Sequence, residues 1–154
     1  AAAEDLLGSA ELSRLGDVPV ALDESITSVE VLRTAVALGA GHLVNVKPAR
    51  LGGTDAAVEV VLAARDHGLG VFVGGMLESG VGRAAALAIA ASEVCEVPTD
   101  LGPSERYVVE DLTDPVVVDD AGRVVVPVGP GSGVTVDLDR VAEATVDRLD
   151  LEAG

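Results

Sequence analysis

Three short apolar runs recur along the chain at a spacing of roughly 25 residues, each closed by polar or glycine residues. Val18-Pro19-Val20-Ala21-Leu22 ends in Asp23-Glu24-Ser25. Leu43-Val44-Asn45-Val46 ends in Lys47, and Gly70-Val71-Phe72-Val73 ends in Gly74-Gly75-Met76-Leu77-Glu78-Ser79. Helical periodicity separates them: Val29, Leu32 and Val36 share one face of a first segment, Ala57, Val60, Val61 and Ala64 one face of a second, and Ala84 to Ala91 forms a third. The order is β-α-β-α-β-α. Runs without apolar–polar alternation predict parallel strands buried on both faces, and in such α/β sheets and barrels chemistry gathers at the carboxyl ends of the strands. Asp23, Lys47 and the segment Gly74 to Ser79 all fall there.

Local punctuation fits the same scheme. Thr27 or Ser28 can cap the first of these helices, with Glu30 in its first turn, and Gly39-Ala40-Gly41 ends it. Pro48 keeps Lys47 extended and marks a strand end. Gly52-Gly53-Thr54-Asp55 turns the chain and caps the second helix, which finishes at His67-Gly68. Both glycine pairs, Gly52-Gly53 and Gly74-Gly75, allow either a tight turn or the close approach of a ligand. Turning alone accounts for Gly52-Gly53.

The chain opens with Ala1-Ala2-Ala3-Glu4 and runs into a helical pattern around Asp5 to Leu15. Three parallel strands leave edges to be paired, so the expectation is the C-terminal part of a longer barrel protein. Residues 1–97 read as barrel and residues 98–154 as a closing tail. In the tail, Val116 to Asp119 and Arg123 to Val128 predict a hairpin about Asp120-Ala121-Gly122. Gly129 to Gly133 predicts a loop, and Asp137 to Leu149 a final amphipathic helix.

Lys47 stands out chemically, being the sole lysine among 10 lysines and arginines. An ammonium can exchange its proton where a guanidinium stays charged, so a lysine at a strand end is a candidate for acid–base or cationic chemistry. Other classes are excluded. A net charge of −16 with one Tyr, one Phe and no Trp gives neither attraction to nucleic acid nor a surface on which bases stack. No apolar stretch approaches the roughly 20 residues that span a bilayer. Cys95 is a lone, small apolar residue that fits a reducing cytoplasm. His42 and His67 lack the spacing of a metal pair, and Ser79 has no histidine in a motif to activate it.

Three motifs carry a resemblance: Ala21-Leu22-Asp23-Glu24-Ser25-Ile26, Val44-Asn45-Val46-Lys47-Pro48-Ala49-Arg50-Leu51-Gly52-Gly53, and Gly74-Gly75-Met76-Leu77-Glu78-Ser79-Gly80-Val81-Gly82-Arg83-Ala84. In this order and spacing they resemble the last barrel strands of the enolase superfamily, within it the o-succinylbenzoate synthase and N-acylamino acid racemase group of the muconate-lactonizing branch. The similarity continues through Pro103-Ser104-Glu105-Arg106-Tyr107 and Pro127-Val128-Gly129-Pro130-Gly131.

The resemblance implies a TIM-like (β/α)7β barrel, represented here by three strands with their helices, a hairpin and a final helix. It implies a small-molecule carboxylate substrate, Mg2+ or Mn2+ as cofactor, a cytoplasmic setting and a homo-oligomer in the complete protein. Asp23 would be a carboxylate ligand of the metal and Glu24 an acid beside it. Lys47 would face the substrate, as acid–base in racemisation or as a stabilising cation in the synthase. Gly75, Met76, Leu77 and Glu78 would border the substrate pocket. The family's paired lysines on an early strand and its other two metal carboxylates have no counterpart in these residues, so this polypeptide alone is expected to be inactive. The synthase of menaquinone biosynthesis is the leading expectation. A racemase or cycloisomerase-like relative is the second, and a non-enzymatic partial-barrel binding module the third.

Overall fold

The computed structural model describes residues 2–150. Helix α1 (Leu6–Leu15) is followed by strand β1 (Ala21–Leu22), helix α2 (Val29–Leu38), strand β2 (Leu43–Val46) and a single helical turn α3 (Pro48–Leu51). Helix α4 (Thr54–Asp66), strand β3 (Gly70–Val73) and helix α5 (Gly80–Ala90) complete the first part. A 3-10 turn (Ser104–Arg106) and helix α6 (Leu138–Ala144) lie in the second. The strands form a parallel sheet in the order β1-β2-β3. Leu22 is level with Val44, and Val46 with Val73, so all three carboxyl ends open on one side.

One face of this sheet is dry. Leu22, Val44, Val46, Val71 and Val73 join Ala57, Val60, Val61 and Ala64 of α4 in the main core, and burial of each valine contributes about 1.5–3 kcal/mol. Helix α5 packs on β3 and α4, and α2 packs on α4. The other face corrects the expectation of strands buried on both sides. Ala21 is exposed and Leu43 and Phe72 only half-buried, because no layer among the described residues covers them. Burial therefore alternates along β3.

Several element bounds differ from the sequence reading. Pro48 does more than end a strand: its fixed φ starts α3 at the first helical position, and Gly52, at φ 91°, closes that turn. Ser28 caps α2, its hydroxyl accepting from the Val31 amide at 3.3 Å, and Gly39 ends it in the left-handed region. Helix α5 begins at Gly80 instead of Ala84. Its glycines disfavour helix, but a buried Asp111 carboxylate accepts from the Gly80 amide at 2.7 Å, and a Cβ at Gly80 would collide with Thr113. Local propensity loses to this long-range cap.

The tail departs further. The expected hairpin is reduced to one antiparallel bridge, Val118 to Val124, although the Asp119 carboxylate does organise the turn by accepting from the amides of Ala121 and Arg123. Helix α6 stops at Ala144 because it buries nothing; Val146 beyond it is fully exposed. Residues 97–101 instead run alongside β3. Val97 N donates to Val71 O at 3.4 Å, the Thr99 hydroxyl donates to Val73 O, and Leu101 enters the core. No helix among the described residues is long and apolar enough to cross a membrane.

Candidate functional site

The carboxyl ends of β1 and β2 bring three of the predicted residues together. Asp23 follows β1 and Lys47 follows β2. Parallel pairing places these positions side by side, although Asp23 is 24 residues upstream of the lysine in sequence. Nζ of Lys47 lies 2.8 Å from Oδ1 of Asp23 and 2.9 Å from Oδ2, and only the Oδ2 contact has hydrogen-bond geometry. Oδ1 is buried with no aligned donor among the described residues. Glu24 approaches from the rim, its Oε1 3.3 Å from the same ammonium. The Lys47 side chain is 12% exposed and that of Asp23 35%, so the pair sits in a partly desolvated recess where charge interactions exceed their surface values.

The electrostatics follow from this packing. Burial acts to lower the pKa of Lys47. The hydrogen bond and charge of Asp23, then those of Glu24, outweigh it and hold the ammonium above the usual lysine range. Glu24 is held below the usual carboxylate range, first by its own backbone amide and then by Lys47. The arrangement therefore presents a fixed, charge-paired cation at the strand ends, not a neutral amine.

A divalent metal finds part of a site here. Asp23 offers in Oδ1 a hard oxygen with no aligned hydrogen-bond donor, though the Lys47 ammonium faces it at 2.8 Å, and oxygen is the ligand type that Mg2+ and Mn2+ prefer. Among the described residues no group of three His, Cys, Asp or Glu side chains converges. Asp23 thus fits as one ligand of such an ion, and further ligands would have to come from elsewhere.

Gly75, Met76, Leu77 and Glu78 lie after β3 at the same end of the sheet but make no hydrogen bond or ion pair to Asp23, Glu24 or Lys47. Glu78 folds back so that its Oε2 accepts from the Met76 amide at 2.6 Å; its Oε1 is buried without a partner among the described residues. Leu77 and, to a lesser degree, Met76 are exposed. A cavity of about 680 Å³ lies elsewhere, lined by Leu87, Thr99, Leu101, Arg106, Arg123 and Val124 among others. It touches none of the candidate chemical groups, so the strand-end cluster is the better site.

Two buried charges near the β3–α5 turn went unread in the sequence. Arg83 is fully buried. Its Nη1 donates to Gly102 O at 2.6 Å and its guanidinium lies 4.8 Å from the centre of the Tyr107 ring. Asp111 accepts from Gly80, Leu112 and the Ser104 hydroxyl, each at 2.7 Å. Burial alone would raise its pKa, but these donors, with the charge of Arg83, hold it below the usual range. His42 is structural, its Nδ1 accepting from Val20 N at 3.1 Å, and His67 caps the end of α4.

Residues 1–141 match the enolase C-terminal domain-like family. An N-succinylamino acid racemase from Amycolatopsis sp. is 41% identical over 95% of this chain and 39% of its own length. The o-succinylbenzoate synthase of Bacillus subtilis is 35% identical over 97% of this chain and 40% of its own. The crystal structure of an enolase-superfamily protein from Enterococcus faecalis superposes with a TM-score of 0.86 at 36% identity, covering 92% of this chain and 38% of the other. The chain therefore spans about two fifths of the length of these relatives.

Proposed function

The chain belongs to the enolase superfamily, as the C-terminal part of its TIM-like barrel, and we propose that the full-length protein is an o-succinylbenzoate synthase acting on a succinyl-hydroxycyclohexadiene-carboxylate. The observation that carries this reading is the Lys47 ammonium fixed between Asp23 and Glu24. Dehydration of such an acid proceeds through transfer of the proton next to the carboxylate to a base, which would lie outside the described residues, and then loss of the hydroxyl group as water. The first step builds negative charge on the carboxylate. A divalent cation, when bound, stabilises that charge electrostatically. Lys47 holds its proton at Nζ and presents a positive charge to the developing anion. Asp23 and Glu24 keep the ammonium pointed across the strand ends, and Glu24 adds negative potential at the rim. Residues Gly75 to Glu78 would border the carboxylate substrate, with Leu77 as its apolar contact. Residues 1–97 would belong to the barrel and residues 98–154 would close it.

A second reading, racemisation of N-succinylamino acids, is favoured by the higher identity to the Amycolatopsis racemase. It demands more of Lys47, which must release a proton to one face of the substrate and take one back. Steady-state assay of the full-length protein with both substrates and Mg2+ separates the two. The synthase reading expects turnover of the cyclohexadiene substrate at a kcat/KM at least about tenfold above that for N-succinylamino acids, on the order of 1.4 kcal/mol in transition-state binding. Racemisation without dehydration would overturn it.

A further inference from the structure

Asn45 interrupts the apolar run of β2 and is one of the buried polar residues among those described, at 6% exposure. Its Nδ2 donates to Oδ2 of Asp23 at 3.2 Å, while its own Oδ1 is buried with no donor among the described residues. The amide packs against Gly74, the residue that follows β3. A Cβ there would fall 2.7 Å from Nδ2 and closer still to Oδ1. Gly74 is not at a positive φ, so its backbone does not require glycine; the amide does. A residue retained only for packing at this point would be apolar, since an unpaired buried carbonyl carries a desolvation cost with no structural return.

We infer that Asn45 is a positioning residue: packed against Gly74, it shares Oδ2 of Asp23 with the Lys47 ammonium, so that Oδ1, which faces that ammonium at 2.8 Å without hydrogen-bond geometry, is the oxygen a divalent cation would take. This rests on the reading of Asp23 as a metal carboxylate. The residue type follows from the geometry. Aspartate at position 45 would set a second negative charge against Asp23, and leucine could donate nothing. Glutamine would be too long for the space above Gly74. Partners that orient a metal-binding carboxylate in this way change metal affinity by about 10–100-fold when removed.

The test is calorimetric titration of the full-length protein with MgCl2, paired with thermal melting. Asn45→Leu is expected to weaken Mg2+ binding at least about tenfold while leaving the melting temperature unchanged or higher. Asn45→Ala carries the same affinity expectation should leucine not fit, and Gly74→Ala should weaken binding by displacing the amide. In an Asp23→Asn background the Asn45 substitution should add nothing, because the coupling runs through Asp23. Unchanged Mg2+ affinity in a folded Asn45 variant, with Asp23→Asn weakened, overturns the inference alone. So does an Asn45 effect of equal size in the Asp23→Asn background. Unchanged Mg2+ binding in Asp23→Asn overturns the underlying reading of Asp23 and the inference with it.

Discussion

At the scale of single residues, the site divides by how each side chain acquires its role. Asp23, Glu24 and Lys47 were legible because position at a strand end follows from the apolar runs alone, and parallel pairing does the rest. Asn45, Arg83 and Asp111 were not. Asn45 sits inside a run that reads as apolar, Arg83 looks like a solvated helix arginine, and Asp111 like a loop acid. Each is defined by a partner that only the tertiary fold supplies. The proximity of Asp23 and Glu24 hides a difference in role that substitution should expose. Asp23→Asn in the full-length protein is expected to raise the Mg2+ concentration for half-maximal activity at least about tenfold, since a neutral amide replaces an anionic ligand. Glu24→Gln should shift it only a few-fold, because Glu24 is half-exposed and touches the ammonium. A titration of activity against Mg2+ in which Asp23→Asn leaves the half-saturation point unchanged would remove Asp23 from direct metal contact.

At the scale of elements, helices and strands were legible where a buried stripe runs their length. All four residues assigned to the inner face of α4 are buried. The start of α5 and the extent of the hairpin and α6 were misplaced, for opposite reasons. Helix α5 gains a turn from a cap supplied by the tail, whereas Val117, Val125 and Val128 of the hairpin and Val146 past α6 lack a described surface to cover them. The Asp111 cap makes a pH prediction. Its carboxyl is held below its ordinary pKa in the folded chain, so the stability it contributes is fully present above the unfolded value, roughly pH 4. That contribution is lost as pH falls through the lower folded value. Asp111→Asn should destabilise the full-length protein by about 1–3 kcal/mol at neutral pH, with the melting curves of variant and parent converging below roughly pH 4. A difference that stays constant from pH 7 down to acid unfolding would show that the carboxylate's charge is not what holds α5.

At the scale of the molecule, the sheet is finished on one side and open on the other. Its helix-covered face carries the core, its opposite face leaves Ala21 exposed, and β1 has no strand partner on its outer edge among the described residues. The fold class was readable because spacing and burial periodicity report on the covered face; how far the opposite face is covered could not be, since each strand residue there depends on neighbours distant in sequence. Residues 1–154 expressed alone should therefore expose apolar surface and self-associate, with a net charge of −16 favouring solubility. They should show no turnover and no saturable Mg2+ binding by calorimetry. A monodisperse monomer with a sharp melting transition would instead favour a self-sufficient binding module.

The central claim is that the ammonium of Lys47, fixed at the strand ends by Asp23 and Glu24, stabilises the anion formed from a carboxylate substrate. Its most direct test is steady-state turnover of the full-length protein carrying Lys47→Arg, with thermal melting alongside. Guanidinium keeps the charge but not the compact shape of an ammonium, so its positive centre would be displaced from the position that Asp23 and Glu24 fix. The account predicts loss of turnover by about 10²-fold or more with melting shifted by no more than a few degrees, whereas parental turnover in a folded Lys47→Arg protein would contradict it.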